Sequence, residues 1–99
     1  MALILNKNYK GIPAKYWKIL KSDCDYIKNR TLVNLGHYVD KKQRTENINN
    51  YLDILAKYID GVDLTRAEQY NELKKPVYSV NPVTEEQVQI NEFVSAQDD

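Results

Sequence analysis

Asp23 and Asp25 are the residues whose types and spacing come nearest to a reactive pair. Two carboxylates two positions apart face the same side of a regular strand. There they could share a cation or serve as acid and base. No further Asp or Glu is expected beside them, and a solvated strand face that deters foreign pairing is the simpler account. Cys24 is the only cysteine and His37 the only histidine, thirteen positions further on. A Cys–His nucleophile needs the two within hydrogen-bond reach. Cys24 reads instead as a small apolar residue, and His37 as a hydrogen-bonded core or interface group on the apolar face of its segment. A metal site at His37 would need more ligands, and there is no second histidine to supply one. A proton switch there has no other support.

Lys41, Lys42 and Arg44 form the densest basic run. With Tyr38 beside them they could follow a phosphate backbone and stack on bases. Asp40 and Glu46 flank the run, and the chain's 14 basic residues balance 14 acidic ones. That balance removes the long-range attraction on which most nucleic-acid binders depend. The three glycines, Gly11, Gly36 and Gly61, are isolated, so no phosphate-cradling loop is present. No Gly-x-Ser-x-Gly or paired-cysteine pattern occurs.

The aromatic residues carry more information. Eight tyrosines and one tryptophan supply nearly all the ring surface, with Phe93 the single phenylalanine. A tyrosine ring packs like hydrocarbon at one end and needs water or a partner at the other. Such residues suit half-buried sheets and subunit interfaces. Tyr16, Trp17, Tyr26 and Tyr38, with Phe93 near the C-terminus, are therefore the expected protein-contact residues. The competing account makes the same rings the core of the isolated domain. The aromatic area left exposed separates the two, because large contiguous apolar patches are rare on monomers.

The elements that must position these residues are legible to different degrees. Ala2–Asn8 reads as a short strand, ended by Lys10-Gly11-Ile12-Pro13. Lys15–Ile27 and Thr31–Asp40 read as a hairpin around Lys28-Asn29-Arg30, with Asn29 suited to positive φ. In the first of these strands Trp17 and Ile19 oppose Tyr16, Leu20, Cys24 and Tyr26, so both faces are partly covered or a bulge shifts the phase. In the second, Val33, Leu35, His37 and Val39 share one face. Lys41–Asn50 reads as an exposed connection with a turn of helix. Tyr51–Ile59 fits helical spacing through Tyr51, Ile54, Leu55 and Tyr58, and strand spacing through Leu52, Ile54, Ala56 and Tyr58. A helix follows at about Leu64–Lys75, opened by the capping box Thr65–Glu68 and stopped by Pro76. From Val77 onward the apolar residues are scattered, and an extended arm docking on its own sheet or on a neighbour is expected.

The length suits one modest core, divided here into a sheet-plus-helix domain over 1–76 and an arm over 77–99. A hydrophobic content of 42% sets that core at the low end for a globular chain. Zero net charge lowers the solubility of a free monomer, which favours life inside an assembly. The opening Met1–Leu5 is too short for a signal-peptide core, and no apolar run approaches the roughly 20 residues that span a bilayer. A cytoplasmic, soluble chain without membrane contact is the expectation.

This layout resembles a group of small proteins encoded among the structural genes of tailed bacteriophages and prophages. The resemblance rests on Met1-Ala2-Leu3-Ile4-Leu5, the turn Lys10-Gly11-Ile12-Pro13, the aromatic start Tyr16-Trp17-Lys18-Ile19, the segment Gly36-His37-Tyr38-Val39-Asp40-Lys41 and the helix opening Asp63-Leu64-Thr65-Arg66-Ala67-Glu68. It covers roughly residues 1–75. It implies a virion component near the tail or neck, made in the bacterial cytoplasm, with no enzymatic role. It also favours a strand at Tyr51–Ile59.

The resulting expectation is an α+β domain: an antiparallel sheet of three or four strands, one helix and an extended C-terminal arm. Its function is that of a non-enzymatic structural subunit meeting copies of itself and neighbouring virion proteins, with no cofactor or metal. The alternative is a phage regulatory or nucleic-acid-binding module using the loop 41–44 and the helix 64–75.

Overall fold

A computed structural model describes residues 1–99. Its strands are β1 (Leu3–Tyr9), β2 (Ile12–Asp25), β3 (Arg30–Tyr38), β4 (Asp53–Asp60), β5 (Tyr78–Val80), β6 (Gln87–Gln89) and β7 (Gln97–Asp98). The helices are α1 (Lys41–Glu46) and α2 (Arg66–Leu73), and a 3-10 turn covers Glu92–Ser95. Five strands build one antiparallel sheet in the order β4-β3-β2-β1-β7, and β5 and β6 pair separately as a hairpin. The chain is α+β, as its patterning predicts.

The turns follow from their residues. Lys10 and Gly11 both have positive φ, 49° and 83°. That conformation makes the tight hairpin turn whose twist matches the flanking strands. Between β2 and β3 the Asp25 side chain accepts hydrogen bonds from the backbone N–H of Ile27 and Lys28 at 3.2 Å each, while Asn29 takes φ 52°.

The broken alternation of β2 is a bulge. Its pairing to β3 shifts between Ile19 and Lys21. Trp17 and Ile19 face the core before the shift. After it, Ser22 and Cys24 are the residues opposite Val33 and Thr31. A one-residue insertion moves all later side chains to the other face.

One face of the sheet carries the core. Leu3, Trp17, Ile19, Val33, Leu35 and Ile59 pack there against Tyr70 and Leu73 of α2 and against Phe93. The helix starts where the sequence marks it: the Thr65 hydroxyl accepts from Glu68 N–H at 3.2 Å, and the Glu68 carboxylate accepts from Thr65 N–H at 3.0 Å. The Tyr70 hydroxyl, carried inward by α2, accepts the Ile19 N–H at 2.8 Å. The same hydroxyl donates to the Met1 carbonyl at 3.3 Å, and so bridges β2 to the chain just before β1.

The opposite face is covered at one end only. There Ala2, Tyr16 and Tyr38 form a small cluster, and the Tyr38 hydroxyl donates to the Ile48 carbonyl at 2.5 Å. The Tyr38 ring folds back over Gly36. A Cβ added at Gly36 would lie 2.9 Å from Tyr38 Cε2 and 2.9 Å from Leu20 Cδ1.

Two expectations need correction. The sheet has five strands, not three or four, because Gln97 and Asp98 pair with Ile4 and Leu3. The segment after Pro76 is not an extended arm. It turns at Asn81–Glu86, where the Asn81 N–H donates to the Glu86 carbonyl at 2.9 Å, and so closes the β5–β6 hairpin. Asn91 then ends the apparent alternation of 87–95. Its amide donates to the Leu73 and Lys75 carbonyls at 2.7 and 2.6 Å, and its oxygen accepts from Phe93 N–H at 3.1 Å. Those bonds fold the chain into the 3-10 turn and drive Phe93 into the core.

Two substitutions check this packing by chemical denaturation. Phe93→Ala should destabilise the whole sheet domain by about 3–5 kcal/mol, as a large core truncation does. Loss confined to the last ten residues or so would contradict a shared core. Gly36→Ala should cost about 1–3 kcal/mol, because the buried Tyr38 ring has no room to retreat.

Candidate protein-contact surfaces

The residues with reactive side chains lie apart. Asp23 and Asp25 stand at the far end of the β2–β3 hairpin, opposite Leu32 and Arg30. Asp23 meets Lys21 at 3.5 Å. Asp25 holds its turn and lies 3.9 Å from Arg30. Cys24 is exposed, and the Thr31 hydroxyl beside it donates to the Gly61 carbonyl at 2.7 Å. His37 lies towards the other end of the hairpin, opposite Trp17. The structure brings neither carboxylate to the imidazole, and it holds no cluster of three His, Cys, Asp or Glu residues arranged for a metal ion.

His37 is instead a sealed core group. Its ring stacks on Trp17 with centroids 3.7 Å apart and planes 8° from parallel. Its Nε2 lies 3.1 Å from the Ala14 carbonyl, and only 2% of the residue is exposed. Burial holds its pKa below the ordinary 6.5, although the Ala14 carbonyl and Asp53 act in the opposite direction.

Two of the three basic residues, Lys41 and Lys42, are drawn into ion pairs. Lys41 lies 3.3 Å from Asp99 and Lys42 3.9 Å from Glu46. Arg44, in the last turn of α1, is half-buried. All three belong to one short helix, not to an open loop. In the helix expected at 64–75, Arg66 Nη1 lies 3.0 Å from the Gln69 oxygen.

The five aromatic residues expected at a protein interface divide sharply. Tyr16, Trp17, Tyr38 and Phe93 are buried within the chain itself. Trp17 meets the Phe93 ring edge-on at 5.0 Å, and Tyr16 meets Tyr38 edge-on at 6.3 Å. As contact residues these four must be corrected, because their rings already fill the core and its flanking cluster. Tyr26 alone stays open, at 66% exposure. Its hydroxyl donates to Asp63 at 2.6 Å, and that bond to a carboxylate pushes its pKa up to about 12.

The apolar surface that remains uncovered lies elsewhere. On the open face of the sheet, Ile54 and Tyr58 of β4 are exposed, and Leu20 and Leu32 beside them are half-buried. The Arg30 guanidinium sits 3.8 Å from the Tyr58 ring centre. The second apolar surface is the hairpin 77–90. Val77, Tyr78, Val80, Val83, Val88 and Ile90 are each at least half exposed. Sequence reasoning selected residues by ring size and so missed both surfaces. The signal was present in the alternation Leu52-Ile54-Ala56-Tyr58, whose apolar side is the one left towards solvent.

Comparisons with protein-family models, with curated proteins and with solved structures find no match for this chain.

The single histidine makes one consequence directly measurable. The native state favours neutral His37, so the unfolded chain binds more protons between the depressed folded pKa and about 6.5. The stability from this group is complete above about 6.5 and declines as pH falls toward the folded pKa. A proton NMR titration of the only imidazole should show a midpoint below 6.5. A midpoint at or above that value would contradict the sealed stack.

Proposed function

We propose that the chain is a non-enzymatic structural subunit of a phage-like virion, in its tail or neck region, and that it works through contacts with other protein chains. The hairpin 77–90 carries this reading. A two-stranded hairpin standing alone is marginally stable in water. This one exposes apolar side chains on both faces: Val77, Val88 and Ile90 on one, Tyr78 and Val80 on the other. Its only charges are Glu85 and Glu86 at the turn. Burying these side chains against another chain would gain roughly 1 kcal/mol or more for each one covered. The resemblance of residues 1–75 to small phage structural proteins supplies the kind of assembly and the place within it.

The reading is tested on particles purified from the bacterium that carries the gene. Mass spectrometry should find the chain at a fixed ratio to the other virion proteins. A variant in which 78–89 is replaced by a short Gly/Ser linker should still fold as a sheet, judged by circular dichroism, but should be absent from the particles. Particles that lack the wild-type chain, or that take up the shortened variant equally well, would overturn the proposal.

A further inference from the structure

The sheet has one long edge with no strand on it. β4 pairs with β3 through the register Thr31↔Ile59, Val33↔Lys57 and Leu35↔Leu55, and the Gly61 N–H donates to the Asn29 carbonyl at 2.9 Å. In an antiparallel ladder, alternate residues turn their backbone groups to opposite sides. Leu55, Lys57 and Ile59 therefore point theirs at β3, and Ile54, Ala56 and Tyr58 point theirs outward. Of the usual protections of an edge strand β4 carries one, the inward-turned Lys57, and its outer row adds no other. It has no proline, no bulge and no charge among Ile54, Ala56 and Tyr58.

Three charged side chains stand on β4, Asp53, Lys57 and Asp60, and none forms an ion pair within the chain. Lys57 is half-buried, and burial lowers its pKa. Its ammonium lies 3.0 Å from the Asn91 oxygen and 4.8 Å from the Phe93 ring centre. Glu92 offsets part of the cost of burying this cation, but it is ion-paired with Lys7 and not with Lys57, and a carboxylate brought from outside to ion-pair distance would relieve more of that cost.

A second copy of β4 supplies that carboxylate in one register. Antiparallel pairing about a two-fold axis at Leu55 sets Ile54 opposite Ala56 of the other copy, as an outward hydrogen-bonded pair. It sets Asp53 opposite Lys57 of the other copy, twice, at the non-hydrogen-bonded positions where side chains lie closest. Moving the axis to Ala56 leaves Asp53 and Lys57 opposite apolar residues. Moving it to Lys57 sets lysine against lysine. We propose that β4 is a homodimerisation edge. Two chains join through residues 53–57 about an axis at Leu55 into a continuous ten-stranded sheet, with Ile54 and Tyr58 of both copies brought together on its open face. This rests on the reading that the chain acts through protein contacts, and it names the partner for one of its two uncovered surfaces.

A pairing of about five residues per strand is short, so the dimer should dissociate at roughly micromolar concentrations. Sedimentation of the full chain across about 1–300 µM should show reversible monomer–dimer exchange. Ala56→Pro removes an outward N–H that β3 does not use, so it should leave circular dichroism unchanged and abolish the dimer. Asp53→Lys should weaken association at least about tenfold, and the double variant Asp53→Lys/Lys57→Glu should recover it. In a Cys24→Ser background, Leu55→Cys should form an intermolecular disulfide, because the axis sets the residue opposite itself.

A wild-type chain that stays monomeric throughout would overturn the inference. So would a dimer indifferent to both Ala56→Pro and Asp53→Lys, even if another surface joins the copies. Neither result touches the particle composition test, so the virion reading stands or falls separately.

Discussion

Everything in this molecule is organised around the indole of Trp17. It is 1% exposed and stands on β2, second from one end of the four long strands. His37 of β3 lies flat against it, and Phe93 meets it edge-on from the last turn of the chain. Its Nε1–H donates to the Leu5 carbonyl at 3.0 Å. Leu5 belongs to the stretch of β1 where pairing to β2 loses register, between Ile4 and Lys7. A carbonyl freed from the ladder by that bulge would be costly to bury unpaired. The indole occupies it, and so one side chain fixes β1, β3 and the C-terminal turn at once.

The same constraint explains the route of the C-terminal segment. Phe93 reaches Trp17 only if the chain comes back across α2, and Asn91 makes that return by bonding the carbonyls of Leu73, the last residue of the helix, and of Lys75 just beyond it. Having crossed, the chain has two residues left to lie along β1, and Lys74 meets Asp98 at 2.8 Å on the way. Ion pairs this exposed contribute little, each on the order of 1 kcal/mol or less. The ring and the buried amide hold the segment, and the surface charges follow. Residues 77–90 form the loop required to make the journey, and they protrude because no core remains for them to cover.

What could be read from the residues divides along local and non-local lines. The β2–β3 hairpin, the turns at Gly11 and Asn29 and the capping box at Thr65 are written in neighbouring residues. The bulge in β2 was visible as a lapse in alternation. Tyr51–Ile59 satisfied two periods at once, and pairing with β3 decided between them. The position of Phe93 was not legible, since it depends on Asn91 meeting carbonyls sixteen and eighteen residues earlier. The contact residues were misplaced for a related reason. Tyrosine and tryptophan suit both an interface and a thin core, and a core built on so few aliphatic side chains takes the large rings first. The surfaces left over are marked by ordinary Ile, Val and Tyr residues on β4 and on the hairpin, where only the absence of a neighbouring strand gives them meaning.

Having a single indole at the meeting point of three segments gives the molecule a built-in optical probe. Excited to the red of the eight tyrosines' absorption, the indole is the one emitter in the chain, and its surroundings change if the first strand, the third strand or the terminal turn lets go. The colour and intensity of that one emission therefore report on the integrity of the whole interior, without any label being attached.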